Sequence, residues 1–128
     1  MIVDTSVVVA ILRREPDAPD LVRRVARARV RLMSAVGYLE AGLVMGARLG
    51  PAGLEDVDRL IARARIGIEP FDGDQAIVAR RAFMDYGKGR HPAGLNFGDC
   101  AAYALAVTRG MPLLFKGGDF SLTDVQRA

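Results

Sequence analysis

Three carboxylates in this chain sit where the surrounding sequence offers them nothing to pair with, and a fourth follows the last apolar run. Asp4 is the only charged side chain among residues 1–12, and Glu40 is the only one between Leu32 and Ala47. Between His91 and Thr108, Asp99 is the only acid and neither Lys nor Arg occurs. Segments this apolar face a core, where an unpaired carboxylate costs several kcal/mol, about 3 or more. Each of these acids therefore needs a helix cap, a basic partner or a metal ion. The fourth, Asp119, stands in the glycine-rich run Lys116-Gly-Gly-Asp-Phe120.

For three of the four, a structural role competes with a chemical one. Asp4 is placed to cap a first helix. Asp99 follows Asn96 by three residues, the spacing of a capping box, and Asp119 reads equally as a turn residue. Glu40 has no such role. It falls mid-helix, with Val36 and Val44 one turn to either side and no cation at i±3 or i±4. Together, three or four carboxylates without His or Cys make a hard, all-oxygen site suited to Mg²⁺ or Mn²⁺ rather than zinc. Such a site activates water and stabilises charge on a phosphoryl group. Without metal, the like charges raise one another's pKa values, so metal binding depends on pH.

The elements that must gather these acids alternate along the chain. Ile2–Asp4 reads as a short strand, and the N-cap types Asp4, Thr5 and Ser6 precede a helix over Val7–Arg13 that Pro16 and Pro19 break. A second helix spans Asp20–Ala28, a strand Arg31–Ser34, and a helix Ala35–Leu49 closed by Gly50. Pro51 opens a helix carrying Leu54, Val57, Leu60 and Ile61 at spacings of three and four. Ile66–Ile68 is a strand, Asp72 caps a helix through Ile77, Val78 and Phe83, and Gly87–Gly94 is a loop. Asn96 starts a helix to Thr108, Gly110 stops it, and Leu113–Phe115 is the last strand. Every inter-strand stretch is long enough for a helical crossover. The expectation is one domain over residues 1–128, of α/β class with a parallel sheet. Asp4 and Asp119 then lie at the carboxyl ends of strands, where open α/β sheets collect ligands. Asp99 starts a helix that can face the same edge, and Glu40 needs only its helix start to pack nearby.

Composition excludes several classes. With 128 residues, 51% of them hydrophobic, the chain buries a core without a staple. One Cys and one His exclude a disulfide framework and multi-ligand zinc sites. No apolar run reaches the roughly 18 residues of a membrane span, and Met-Ile-Val-Asp is not a secretion signal. A cytoplasmic location with no membrane partner is expected. The net charge is +3, and 16 of the 18 basic residues are Arg, seven of them between Arg13 and Arg31. That excess fits an anionic partner such as nucleic acid or an acidic protein segment, and equally a solvated Arg-rich surface.

The opening MIVDTSVVVAIL, the stretch SAVGYLE, the segment GRHPAGLNFGDCAAYALA and the ending PLLFKGGDF resemble a PIN-domain ribonuclease, and within that family the VapC toxins of bacterial toxin–antitoxin pairs. The resemblance spans the whole chain. It implies a three-layer α/β/α sandwich around a small parallel sheet, with an acidic site that binds Mg²⁺ or Mn²⁺ and cuts RNA. On this resemblance Asp4 and Asp99 match the principal metal ligands, and Glu40 and Asp119 the acids that orient water or a second ion. Thr5, Ser6 and Asn96 match polar positions that support the acids or hold water. Gly118 departs from the pattern, since relatives often carry a polar or acidic residue before the last Asp. The implied reaction is hydrolysis of an RNA phosphodiester by metal-activated water. The implied partners are a VapB-type antitoxin, an RNA substrate and a second copy of the chain. Arg13, Arg14, Lys88, Arg90 and Lys116 are candidate phosphate contacts.

Two rival readings use the same residues. One is a Mg²⁺-dependent phosphatase of another α/β family, which also places an Asp after its first strand. The other is a catalytically silent module that binds RNA or an antitoxin through its arginines. Cys100, His91 and Tyr103 are expected to be structural.

Overall fold

The computed structural model describes residues 1–128. The short strand β1 (Ile2–Val3) runs into α1 (Thr5–Leu12) and α2 (Ala18–Arg27). Next come β2 (Leu32–Ser34), α3 (Ala35–Leu49), α4 (Pro51–Ala64) and β3 (Gly67–Glu69). The chain ends with α5 (Gly73–Tyr86), α6 (Phe97–Arg109), β4 (Leu113–Leu114) and a 3₁₀ turn at Asp119–Leu122. The strands pair in the order β3-β2-β1-β4, all parallel, with Ile2 opposite both Leu32 and Leu113. Alternation along each strand divides the core. Ile2 and Leu113 pack against α5 and α6, while Val3, Met33 and Leu114 pack against the layer of α1 to α4. The α/β/α sandwich expected from the sequence is the fold observed.

The strand order places the site. From β1 the chain moves outward to β2 and β3, then returns to the other side of β1 for β4. The carboxyl ends of β1 and β4 therefore flank the point where the connection reverses, which is where such sheets leave a crevice. The first residues beyond those strands include Asp4 and the loop to Asp119.

Several boundaries differ from the sequence expectation, each for a local reason. Helix α1 begins at Thr5 rather than Val7, because Asp4 alone is the cap and frees Thr5 and Ser6 to be helical. Pro19 does not break α2 but lies in its first turn, where the missing N–H has no partner to lose. Strand β3 starts one residue late. Arg65 closes α4 in the left-handed conformation and the Ile66 amide bonds back to the Ile61 carbonyl at 3.1 Å, so Ile66 belongs to the helix end. Residues 126–128 run beside β4, with Leu113 N bonded to Gln126 O and Ala128 N to Leu113 O. No helix is long and apolar enough to cross a membrane.

Helix α3 carries Glu40, and its position depends on how closely α4 can approach. Gly53 is the contact: a Cβ there would enter the van der Waals envelope of the Met45 carbonyl and come within 3.0 Å of Gly46 N. These are backbone atoms, so neither can step aside. Gly53→Ala sets a helix-propensity gain of up to about 1 kcal/mol against an overpacking cost of about 1–3 kcal/mol. Net destabilisation is expected, read as a lower urea midpoint at unchanged slope. A raised midpoint would show that α4 is free to move off α3.

Candidate active site

Asp4 leaves β1 in extended conformation and turns its side chain back over the start of α1. Its Oδ2 accepts the Ser6 amide at 2.9 Å and the Ser6 hydroxyl at 2.6 Å. The Ser6 oxygen in turn accepts the Lys116 amide at 2.9 Å. One serine thus ties the first acid to the loop that leaves β4, and the Asp4 amide bonded to Leu114 O at 3.0 Å locks the same seam from the backbone. Both Ser6 bonds fall on Oδ2, so Oδ1 is the oxygen left for a ligand. The capping role and the ligand role suggested for Asp4 are held by different oxygens of one carboxylate.

Asp99 repeats the device. The Asn96 side chain accepts the Asp99 amide, and Asp99 Oδ2 accepts the Asn96 amide, both at 2.9 Å, which makes a complete capping box at the start of α6. Glu40 reaches this helix start from α3. Ser34 caps α3, and the Thr5 hydroxyl donates to Gly37 O at 3.1 Å, holding the first turn of α3 against α1. The Glu40 carboxylate then lies over Gly98: a Cβ at that position would be 2.7 Å from Oε1 and closer still to Oε2. Glu40 forms neither a hydrogen bond nor an ion pair, so nothing but packing against Gly98 holds it. The sequence reading missed Gly98. Its only signal was a small residue between the two members of a capping box, which by itself says nothing of Glu40.

Asp119, which is exposed, opens the 3₁₀ turn beyond β4. Its loop is anchored at both ends. Phe120 is buried, its ring centroid 5.1 Å from that of Phe115. At the other end, the Lys116 ammonium binds Glu15 and also Asp17, the latter at 2.9 Å. Lys116, a candidate phosphate contact, is thereby drawn toward the loop between α1 and α2. Arg13 stands 3.5 Å from Glu15, while Arg14, Lys88 and Arg90 are exposed and in no ion pair. The other three residues set aside as structural are so. The Tyr103 hydroxyl donates to Asp124 at 2.6 Å, His91 Nδ1 accepts the Ala93 amide, and burial pushes the Cys100 thiol up to about 11.

None of the four acids has a salt-bridge partner, and they feel one another. Burial raises the Asp4 carboxyl above its ordinary range against the pull of the Ser6 bonds, and the Glu40 charge adds to the rise. Burial likewise pushes Asp99 up to about 6; the Asn96 amide opposes this, and the charges of Asp4, Asp119 and Glu40 reinforce it. No three of the carboxylates stand close enough to hold one ion.

A raised carboxyl pKa means that the folded chain holds its proton more tightly than the unfolded chain does. The Asp99 contribution to metal-free stability is therefore most favourable below pH 4 and is lost as pH rises through about 6. Asp99→Asn keeps the cap acceptor and removes the charge. In EDTA it should melt above the wild type at pH 7.5, with the difference vanishing by about pH 4. Melting curves across that range test this, and a variant that melts lower throughout would mean that the charge stabilises the fold.

Comparison with known proteins places the chain in a family. The family model of the PIN domain matches residues 1–126. Ribonuclease VapC28 of Mycobacterium tuberculosis is 51% identical over 129 residues, covering 100% of this chain and 97% of the relative. Ribonuclease VapC of Mycolicibacterium smegmatis is 52% identical over 125 residues, covering 98% and 97%. Among solved structures, Mycobacterium tuberculosis VapC20, a sarcin-ricin loop cleaving toxin, superimposes with a TM-score of 0.79 at 16% identity, over 99% of this chain and 97% of that one. VapBC2 from Rickettsia felis, bound to a promoter DNA fragment, gives 0.77 at 12% identity, over 98% and 94%. The match runs from the first strand to the pairing of the last residues with β4, and the chain belongs to the PIN-domain family, among its VapC ribonucleases.

Proposed function

We propose that this protein is a metal-dependent endoribonuclease, the toxin of a type II toxin–antitoxin pair. The observation that carries the reading is the set of four mutually repelling carboxylates at the reversal point of the sheet, with no cation of the chain's own among them. The donor set is all oxygen, the single His and Cys are engaged elsewhere, and Asp4 and Asp99 each keep one oxygen clear of their caps. These residues fit Mg²⁺ or Mn²⁺. Asp4 and Asp99 would hold the ion, which when bound neutralises charge on a phosphodiester and acidifies water.

The chain's own groups supply the rest. Glu40, which has no partner to give up, accepts a proton from attacking water or orients that water at the pit. Asp119, exposed on the loop beyond β4, would orient water or hold a second, weaker ion. Ser6 fixes the rotamer of Asp4, and Asn96 fixes that of Asp99. Lys88, Arg90 and Arg14 are free to contact phosphates. For partners we propose a VapB-type antitoxin and a second copy of the chain. A cavity of about 240 Å³ between α1, α2 and α4, lined by Ile11, Val22, Val25 and Leu60 with Arg31 and Arg63, suits an apolar antitoxin segment.

Cleavage of RNA should require Mn²⁺ or Mg²⁺ and stop in EDTA; undiminished cleavage by chelated protein would remove the metal from the reading. Glu40→Gln separates chemistry from packing, because it keeps the shape over Gly98 and deletes the charge. It should melt at or above the wild-type temperature without metal and cleave at least ~100-fold more slowly in single turnover, a loss of about 2.7 kcal/mol in transition-state stabilisation. Full activity in that variant would take Glu40 out of the site.

A further inference from the structure

Phe97 is the first residue of α6, between Asn96 and Gly98 and two residues ahead of Asp99. The residue is 77% exposed, more than any other large hydrophobic residue of the chain. Leaving such a ring in water forgoes most of the stabilisation its burial would bring. It also stacks on no other aromatic ring and carries no guanidinium over its face. The cap geometry requires Asn96 and Asp99, and the approach of Glu40 requires Gly98, but neither requires an aromatic residue at position 97.

The loop that leads into α6 supplies a second observation. Lys88 N bonds to Leu95 O and Leu95 N to Tyr86 O, both at 2.9 Å, so the loop closes on itself two residues before Phe97. It carries Lys88 and Arg90, both exposed and in no ion pair, with only the Arg90 Nε engaged, on the Met84 carbonyl. An uncovered aromatic face with unpaired cations on the adjoining loop is the combination that holds single-stranded nucleic acid, base on ring and phosphate on cation. The face of a base is available only where it is unstacked, in single strands and loops.

We propose that Phe97 is a positioning residue for the substrate: an unstacked base of the RNA lies on its ring, while Lys88 and Arg90 take the neighbouring phosphates. The scissile phosphate is thereby delivered to the acids that begin one residue beyond Gly98. This rests on the ribonuclease reading above.

The chain has no tryptophan, so Phe97→Trp introduces a single indole at this position. In the slow Glu40→Gln background with Mg²⁺, its fluorescence should be quenched as a single-stranded oligoribonucleotide is titrated in, with the same midpoint that anisotropy of a labelled RNA reports. Phe97→Ala should melt like the wild type and show KM for that RNA raised about 10- to 100-fold, with kcat changed far less and Phe97→Tyr restoring the wild-type KM. An RNA abasic at the stacked nucleotide should weaken the wild type to the level of Phe97→Ala and cost that variant nothing more. Wild-type cleavage with no change in Phe97→Ala, or binding without quenching, overturns the assignment and leaves the ribonuclease reading intact. Normal cleavage by Phe97→Ala with weakened silencing by an antitoxin overturns it too, and gives the ring to a protein partner. A wild type that neither binds nor cuts RNA fells the ribonuclease reading itself.

Discussion

A carboxylate over the first turn of a helix is stabilised by N–H groups that would otherwise lack partners, and this is the interaction on which the architecture turns. Gathering acids at a partly dehydrated sheet edge is unfavourable, both through lost hydration and through mutual repulsion. Asp4 offsets part of that cost by capping α1, and Asp99 by accepting the Asn96 amide in the capping box of α6. Because each cap uses one oxygen, stabilising the fold does not exhaust the group that chemistry needs. The residual strain is visible in Asp99, whose carboxyl remains near 6 despite its capping bond.

Around those caps the fold supplies position rather than further compensation. The crossing from β3 back to β4 sets the crevice, Ser6 binds its two sides, and Thr5 fixes α3 against α1. Glu40 is the exception. It reaches the pit by steric fit, on a helix brought in by the close approach at Gly53 and over a helix turn left bare at Gly98.

The order of elements, the parallel sheet and the three isolated acids Asp4, Glu40 and Asp99 could be read from the residues because they depend on local rules, whereas the three layers came with the family resemblance. Charge-poor segments isolate acids, period-three-and-four apolar patterns mark helices, and cap residues precede them. The bounds of α3 were legible to the residue, since Ser34 and Gly50 punctuate it at both ends. What was not legible is what arises between distant segments. No rule of spacing pairs Lys116 with Glu15 and Asp17, about a hundred positions away, or sets Glu40 on Gly98. Nor does a propensity say whether Phe97 faces the core or the solvent at a helix start.

The two anchors of the last acid divide the site into parts of unequal evolvability. Asp4, Glu40 and Asp99 are embedded in helix starts and packing, so displacing any of them disturbs the core. Asp119 hangs between the pinned Lys116 and the buried Phe120, on a span of only Gly117 and Gly118, with Gly117 at φ +95°. Neither glycine has any neighbour within 4 Å of where a side chain would begin. The left-handed φ holds position 117 to glycine, whereas Gly118 has an ordinary helical backbone and open space around it, so sequence drift at that one position can alter the surroundings of Asp119 while leaving the sandwich untouched.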